Sequence, residues 1–182
     1  MKRPAVFLDR DGTLIEEVNY LSRVEDMRLF PFAVEAIKLL KDNGFRIIVV
    51  TNQSGIGRGI YDEAAMHDIH EQIQLELDGA IDGFYFCPHL PCDGCLCRKP
   101  NPGMIEAAIS DFEIEMENSW MVGDKKIDVE TGHKLNMKNI LVLTGYGQQH
   151  KVTLEHAPDF ITDNLNVAVN EIIRLRQAGK SY

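Results

Sequence analysis

The chain has 182 residues, 45% hydrophobic and 26% charged, a balance typical of one globular domain and not of a disordered or fibrous protein. Its net charge of −9 argues against general binding to nucleic acid or to an anionic membrane. The uninterrupted apolar runs, such as residues 47–50, are far shorter than the ~20 residues of a membrane helix. The N-terminal residues do not fit a signal peptide, so a cytoplasmic location is expected.

Short apolar runs alternate along the chain with amphipathic patterns of helical period. The apolar runs predict strands over residues 5–8, 46–50, 83–86, 120–122 and 140–143. The helical patterns predict helices over residues 31–43, from Asp62 to Leu77, around 104–112, up to Leu135 and over 165–176. This alternation predicts an α/β fold with a doubly wound parallel sheet, in one domain spanning residues 1–182. Residues 144–158 are expected to form a loop.

Two helical patterns also predict which side chains pack inward. Val34, Ile37 and Leu40 follow one another at intervals of three residues in the first predicted helix. Asp62 is placed to cap a later helix, whose predicted buried side chains are Met66, Ile69, Ile73 and Leu77.

Residues that directly follow the strands are the candidates for chemistry, because ligands of such sheets bind beyond the carboxyl ends of the strands. Asp9 and Asp11 follow the first strand, ahead of Gly12. Two carboxylates so placed can share a metal ion or divide nucleophilic and acid–base roles, although the same residue types are common in turns. A calcium loop of the EF-hand type is excluded, because Thr13 and Leu14 occupy its fifth and sixth positions.

Two later strands are also followed by polar residues. Residues 51–59 contain two hydroxyls, two amides and three of the chain's glycines, which suits an oxyanion or a phosphate, although a plain glycine-rich loop is the alternative. They match neither of the two common nucleotide-binding glycine motifs. Asp124 follows the fourth strand, and Asp128 comes four residues later, where it can point back from a helix. The alternative for Asp124 is a helix N-cap.

All four cysteines of the chain, Cys87, Cys92, Cys95 and Cys97, fall within 11 residues together with His89. Three thiolates and one imidazole suit a tetrahedral zinc site. Cys92 competes for a place in it, because Cys92 and Cys95 have the common C-x2-C spacing. Free surface cysteines are the alternative.

Four short segments together resemble the motifs of the haloacid-dehalogenase (HAD) superfamily of aspartate-nucleophile phosphatases. They are residues 7–13, 50–52, 99–100 and 123–124. More narrowly, the D-R-D-G-T start, the T-N-Q-S-G segment and the C-x-H…C-x-C-R-K-P loop resemble the D-glycero-D-manno-heptose 1,7-bisphosphate phosphatases. The histidinol-phosphate phosphatases have a similar cysteine loop. The resemblance covers about residues 5–147, and the extra Cys92 in a short loop departs from the family pattern.

This resemblance implies a role for each residue that matches a motif. Asp9 would be the nucleophile that forms an aspartyl-phosphate, and Asp11 the general acid and base. Mg²⁺ would be held by the carboxylates of Asp9 and Asp124 and by the backbone carbonyl of Asp11. Thr51 and Lys99 would bind phosphoryl oxygens. The resemblance also implies a Rossmann-like core. The spacing of the motifs leaves no room for a separate cap domain, since only about 40 residues separate Asp9 from Thr51.

Two further sets of residues follow from the resemblance. Within the loop 87–97, a structural Zn²⁺ would be held by Cys87, His89, Cys95 and Cys97. The expected substrate-binding residues are Glu17, Val18, Asn19, Tyr20, Thr51, Asn52, Gln53, Ser54, Arg58, Arg98, Lys99 and Lys125.

The activity implied is Mg²⁺-dependent removal of the carbon-7 phosphate from a heptose 1,7-bisphosphate, in nucleotide-activated heptose biosynthesis. Arg58 and Arg98 are expected to hold the second phosphate. Histidinol phosphate is the alternative substrate, because Glu16 and Glu17 could receive its amine. Two further functions stay open, namely transfer of the phosphoryl group to a sugar and an inactive zinc-stabilised binding module. The expected partner is a small phosphorylated sugar, with no nucleic acid and no membrane, and the expected state is a monomer.

Overall fold

The structure is a computed structural model that describes residues 2–179, and it contains a parallel sheet between layers of helices. Its strands are β1 (Ala5–Leu8), β2 (Arg46–Asn52), β3 (Gly83–Cys87), β4 (Trp120–Gly123), β5 (Lys138–Val142) and β6 (Phe160–Thr162). Its α-helices are α1 (Ala33–Asp42), α2 (Ser54–Gly57), α3 (Glu63–Glu76), α4 (Gly103–Asp111), α5 (Lys126–Lys134), α6 (Gly147–Lys151) and α7 (Leu165–Ala178). The predicted α/β fold is confirmed.

The strand order β3-β2-β1-β4-β5-β6 places β1 at the centre of the sheet. Leu8, the last residue of β1, lies beside Val49 of β2 on one side and Val122 of β4 on the other. The strand order reverses between β1 and β4, and such a switch point is where ligands bind in doubly wound sheets. The residues that follow β1, β2 and β4 are therefore brought to one edge of the sheet.

The core lies on both faces of the sheet, which is why the strands are continuous apolar runs. Along β1, Val6 and Leu8 belong to the hydrophobic cluster on one face, and Ala5 and Phe7 to the cluster on the other. All four side chains are fully buried. Because β1 is packed on both faces, it fixes the position of the residues that follow it.

The first helix differs from its predicted inward face. Ala33, Ala36, Ile37 and Leu40 are buried, whereas Val34 is 50% exposed. The buried residues follow the i, i+3, i+4, i+7 spacing of one helical stripe, and Val34 falls outside it. In α3 the prediction is confirmed, because Asp62 accepts a hydrogen bond from the backbone N–H of Ala65 and the four expected apolar side chains are buried.

Besides the 3-10 turns Val24–Asp26 and Met116–Asn118, three short helices and strands were not predicted from the sequence. They are α2, β6 and α6, of four, three and five residues, too short to display a period. The segment 144–158, expected to be a loop, contains α6. Two elements end one residue earlier than predicted, because Phe112 lies just after α4 and Leu143 just after β5, although β5 begins two residues earlier than predicted, at Lys138.

The segments between the motifs contain few elements within residues 2–179. Only a 3-10 turn (Val24–Asp26) and α1 lie between β1 and β2, in agreement with the expectation that there is no separate cap domain. Among the same residues, no helix has the length and apolarity needed to span a bilayer.

Candidate active site

Asp9 directly follows β1 and is buried between two lysine side chains. Lys99 Nζ donates to Asp9 Oδ1 at 2.9 Å, and Lys125 Nζ lies 3.9 Å from Asp9 Oδ2. Burial by itself would raise the pKa of Asp9, but Lys99 and then Lys125 hold that pKa below its ordinary value. The carboxylate is therefore ionised, which is the state a carboxylate nucleophile needs.

Lys99 is held in place from two directions. Asp128 Oδ1, on α5, accepts a hydrogen bond from Lys99 Nζ at 2.7 Å. Asn52, at the end of β2, fixes the backbone: its Nδ2 donates to the Lys99 carbonyl at 3.1 Å, and its Oδ1 accepts from the Lys99 N–H at 3.0 Å. Burial by itself would lower the pKa of Lys99, but Asp128 and Asp9 raise it. The buried side chain is therefore a charged ammonium.

Asp124 directly follows β4, and its side chain is fully buried beside Asp9. Its Oδ2 accepts from the Tyr146 N–H at 2.8 Å, but its Oδ1 has no hydrogen-bond partner among residues 2–179. A β-carbon at Gly12 or Gly145 would stand 2.3 Å from Oδ2, so the two glycines allow the backbone to approach this carboxylate closely. Burial, followed by the negative charge of Asp9, raises the pKa of Asp124 to about 8.

This carboxylate group fits a hard divalent cation. One carboxylate oxygen from each of Asp9, Asp124 and Asp128 lies within 4.8 Å of the others. Carboxylate oxygens are the ligands that Mg²⁺ prefers, above all where no hydrogen bond occupies them. Asp128 has both oxygens occupied, since its Oδ2 accepts the Lys125 N–H at 3.0 Å. Asp9 and Asp124 are therefore the better candidates. The helix that follows is capped at Lys125, so the alternative that Asp124 is the N-cap is wrong.

The side chain of Asp11 is turned toward Arg10 and Gln53. Arg10 donates through Nε to Asp11 Oδ2 at 3.0 Å and through Nη2 to Asp11 Oδ1 at 3.1 Å. Gln53 Nε2 donates to Asp11 Oδ2 at 2.9 Å. A two-pronged guanidinium contact of this kind fixes the orientation of a carboxyl as well as its place.

Gln53 connects several predicted site residues. Its Nε2 also donates to Thr51 Oγ1 at 2.7 Å, while its Oε1 accepts from Arg10 Nη2 at 3.0 Å and from the Tyr61 hydroxyl at 2.5 Å. Because every hydrogen-bonding site on this amide has a partner, its orientation is determined. Burial raises the pKa of Tyr61 to about 12, so its hydroxyl keeps its proton and donates.

A cavity of about 190 Å³ opens beside Asp11 and Lys125. It contains many of the expected substrate-binding residues: Glu17, Val18, Asn19, Tyr20, Asn52, Gln53, Ser54 and Lys125. Its other lining residues are Arg10, Asp11, Leu21, Gly55, Tyr61 and Tyr146. Lys125 lies between the cavity and the nucleophile, because its Nζ donates to Glu17, a lining residue, at 3.1 Å and lies 3.9 Å from Asp9.

The two arginines expected to hold a second phosphate are not in this cavity. Arg58 is exposed, with its guanidinium carbon 6.0 Å from the ring centre of Tyr20, so it lies near the rim. Arg98 donates to the carbonyl of His89 at 3.1 Å and lines a separate pocket of about 290 Å³ with Lys99 and Cys95. Arg58 and Arg98 therefore lie at different openings, although their segments meet where the Gly57 N–H donates to the Pro88 carbonyl at 3.0 Å.

The four predicted zinc ligands lie together at the end of β3. Cys97 Sγ is 3.2 Å from Cys87 Sγ, 3.6 Å from Cys95 Sγ and 3.2 Å from His89 Nδ1. Such separations are a few tenths of an ångström shorter than the ~3.8 Å S···S and ~3.6 Å S···N edges of a tetrahedron around a zinc ion, so the four ligand atoms are close to the positions that the ion requires. Cys92 is exposed and lies outside the group, with its Sγ 3.9 Å from Asp93 Oδ1.

Four site residues were missed from the sequence. Arg10 and Tyr61 carry no periodic signal, and Tyr146 belongs to the segment expected to be a loop. The sequence predicts that Asp128 can point back from a helix but assigns it no role in the site. That spacing of four residues from Asp124, at the start of a helix, is the one signal that could have identified a partner for Lys99.

Comparisons with known proteins agree with this geometry. Residues 96–168 match a family model described as HAD-hydrolase-like. The chain is 39% identical over 189 residues to the D-glycero-D-manno-heptose-1,7-bisphosphate 7-phosphatase of Thermosynechococcus vestitus, covering 94% of this chain and 96% of that protein. It is 37% identical over 172 residues to the D-glycero-beta-D-manno-heptose-1,7-bisphosphate 7-phosphatase of Escherichia coli K12, covering 89% of this chain and 90% of that protein.

Solved structures agree as well. The D,D-heptose 1,7-bisphosphate phosphatase of B. bronchiseptica, complexed with magnesium and phosphate, superposes with a TM-score of 0.88 at 26% identity. The match covers 94% of this chain and 99% of that one. The corresponding phosphatase of Burkholderia thailandensis gives a TM-score of 0.70 at 27% identity, with the same coverage.

Proposed function

Because this chain belongs to the HAD family of heptose 1,7-bisphosphate 7-phosphatases, we propose that it hydrolyses the carbon-7 phosphate of D-glycero-D-manno-heptose 1,7-bisphosphate, with Asp9 as the nucleophile. The observation that carries this proposal is the pairing of Asp9 with Lys99 at 2.9 Å beside Asp124 Oδ1, which accepts no hydrogen bond and lies 3.7 Å from Lys125 Nζ. An ionised nucleophile, a fixed cation and a free carboxylate ligand are what phosphoryl transfer requires.

In the first step, a carboxylate oxygen of Asp9 forms a bond to phosphorus while the bond between phosphorus and the carbon-7 oxygen breaks. The leaving oxygen takes a proton from Asp11. In the second step, water gives a proton back to Asp11 and attacks phosphorus, which releases inorganic phosphate and the Asp9 carboxylate. Lys99, held by Asp128, offsets the negative charge on the phosphoryl oxygens. The hydroxyl of Thr51, oriented by Gln53, binds one of these oxygens.

The carboxylates of Asp9 and Asp124, with the backbone carbonyl of Asp11, would hold Mg²⁺. When bound, the ion supplies positive charge that lets the anionic phosphate approach the anionic nucleophile. The unpartnered Oδ1 of Asp124 and the raised pKa of that residue support this ligand set, since a cation would relieve both. The magnesium and phosphate in the relative from B. bronchiseptica also support it.

A structural Zn²⁺ would be held by Cys87, His89, Cys95 and Cys97. The convergence of their four ligand atoms supports this assignment. Burial raises the pKa of the Cys87 thiol, so a bound cation would offset the cost of its thiolate. Arg98 and Lys99 directly follow the last ligand, so the metal would hold the segment that presents Lys99 to Asp9.

Substrate recognition follows from the cavity beside Asp11. The sugar would occupy it, between the segment 17–20 and the residues 52–54. Lys125 lines it and lies 3.9 Å from Asp9, and the guanidinium of Arg58 lies 6.0 Å from the ring centre of Tyr20, another lining residue. We assign the carbon-1 phosphate to the side of Arg58, and Arg98 to the presentation of the zinc loop next to Lys99. The monomeric state and the cytoplasmic location stay predictions.

The proposal is tested by the ratio of kcat/KM for the heptose 1,7-bisphosphate to that for histidinol phosphate. We expect the bisphosphate to be preferred, with phosphorus NMR showing loss of the carbon-7 phosphate and retention of the carbon-1 phosphate. Arg58→Ala should reduce the preference, whereas Lys38→Ala, at another exposed cation, should not. A preference for histidinol phosphate would overturn the substrate assignment, and turnover by Asp9→Asn would overturn the mechanism.

A further inference from the structure

A fully buried arginine connects the acid–base candidate Asp11 to a histidine on a different layer of the fold. Arg10 is 1% exposed and donates to both carboxyl oxygens of Asp11 and to Gln53 Oε1. Its remaining terminal nitrogen, Nη1, lies 3.2 Å from His70 Nε2. The guanidinium group is thus held from one side by Asp11 and Gln53 and from the other by His70.

The direction of the contact between Arg10 and His70 follows from the chemistry of the two groups. A guanidinium has donors only, so His70 Nε2 must be the acceptor and its Nδ1 must carry the ring proton. Burial, followed by the charge of Arg10, lowers the pKa of His70 to about 3, in keeping with a neutral ring. His70 therefore acts as a fixed hydrogen-bond acceptor in the folded protein.

The ring of His70 is itself positioned by α3 and β3. It stacks on Phe84 of β3, with ring centres 4.4 Å apart and planes inclined by 18°. The ring of His67, one turn earlier on α3, contacts the His70 ring edge-on, with ring centres 6.2 Å apart. The helix is anchored by its buried residues, among them Ile69 and Ile73. The packing of α3 therefore fixes the position of His70 beside Arg10.

We propose that His70, acting through Arg10, is a positioning residue that orients the Asp11 carboxyl for proton transfer to the leaving oxygen. The inference rests on the assignment of Asp11 as the proton donor under the proposed function. Without His70, a donor of Arg10 would be buried without a partner, and the guanidinium could turn away from Asp11. The carboxyl would then deliver its proton from a less favourable direction, and a displacement of about 1 Å is enough to lower a rate by roughly 10²-fold.

The test uses substrates that differ in their need for a proton. The carbon-7 alkoxide of the heptose bisphosphate is a poor leaving group that requires protonation, whereas the nitrophenolate of 4-nitrophenyl phosphate leaves without it. The value of kcat/KM reports the transfer to Asp9, in which Asp11 acts as an acid. A defect in the orientation of Asp11 therefore lowers kcat/KM for the sugar phosphate much more than for the aryl phosphate.

Three variants separate positioning from packing. His70→Phe keeps the stacking on Phe84 but removes the acceptor, and should lower kcat/KM for the bisphosphate by ~10-fold or more while changing that for 4-nitrophenyl phosphate by less than ~3-fold. His70→Gln restores an acceptor at the position of Nε2 and should recover most of the loss. His67→Phe, the matched control, should leave both values near those of the unmodified protein. Should His70→Phe not fold, His70→Asn, whose amide is too short to reach Arg10, is expected to give the same pattern.

Asp11→Asn distinguishes this inference from the function on which it rests. It should show the same dependence on the leaving group, more strongly. If it does not, the assignment of Asp11 as the acid is wrong and the role of His70 falls with it. If Asp11→Asn shows the dependence but His70→Phe lowers both substrates equally, or matches His67→Phe, the role of His70 alone is overturned.

Discussion

Asp128 accepts a hydrogen bond from the ammonium of Lys99 at 2.7 Å, so the lysine that contacts Asp9 is oriented by a residue from a different strand–helix unit. Both side chains are almost fully buried. Breaking such a pair leaves a buried charge without its partner, which is strongly destabilising.

Asp128→Asn is therefore expected to lower both activity and stability. The amide still accepts a hydrogen bond but carries no charge, so Lys99 loses part of its orientation, and kcat should fall by roughly 10²-fold with a smaller change in KM. Steady-state kinetics and chemical denaturation check this. Glu130→Gln, on the same helix, is the control and should retain activity, and an Asp128→Asn protein with normal kcat would contradict the role of Asp128.

Asp9→Asn should abolish turnover, because an amide oxygen is a poor nucleophile toward phosphorus. Asp11→Asn should keep Asp9 but lose proton transfer, with a decrease in kcat of about 10²–10⁴-fold. Mass spectrometry after acid quench should detect a phosphorylated Asp9 in the unmodified protein and none in Asp9→Asn. Detection of the phosphoryl group on any other residue would show that the nucleophile has been assigned wrongly.

Mg²⁺ should raise the melting temperature of the protein, because it would compensate two adjacent buried carboxylates. A ligand at 100 times its dissociation constant stabilises a folded protein by about 2.7 kcal/mol. Asp124→Asn should lose most of this increase, whereas Asp163→Asn, at an exposed acidic residue, should keep it. Thermal melts with and without Mg²⁺ measure the difference, and an equal increase in both variants would exclude Asp124 as a ligand.

The purified chain should contain about one zinc ion, because three thiolates and one imidazole make a closed tetrahedral site. Cys95→Ser removes a ligand and should lose the metal, whereas Cys92→Ser, outside the group, should retain it. Elemental analysis of reduced, metal-replete protein checks both. Loss of zinc from Cys92→Ser and its retention in Cys95→Ser would reverse the ligand assignment.

The stability of the protein should depend on pH through His70. Its pKa is about 3 in the folded protein, against the ordinary value of 6.5, so below pH 6.5 the unfolded chain binds a proton that the folded chain does not. The free energy of unfolding therefore keeps its full value, as far as His70 is concerned, above pH 6.5. It decreases by at most ~1.4 kcal/mol per pH unit as the pH falls from 6.5 toward 3. His70→Gln has no such group, so its free energy of unfolding should fall less steeply over this range. Parallel denaturation curves would contradict the shift.

The amino-acid sequence by itself determined the α/β architecture and the order of the strand-end motifs. Strands such as residues 5–8 are apolar without interruption because both faces of the sheet are covered, and this signal is local. Asp9, Thr51 and Asp124 were identifiable because each directly follows an apolar run, although Thr51 still belongs to β2. A metal site within residues 87–97 could be predicted because the cysteines and His89 lie close together in the chain, but only the resemblance favoured Cys87, His89, Cys95 and Cys97 over Cys92, which the structure leaves outside the group.

Only the tertiary structure decided which side chains meet across the sheet. The contacts of Asp128 with Lys99, of Arg10 with His70 and of Tyr146 with Asp124 join residues 29, 60 and 22 positions apart. No periodicity encodes such pairs, because they depend on how α3, α5 and the segment after β5 pack against the sheet. The same holds for the place of Arg58 beside Tyr20, which precedes it by 38 positions in the chain.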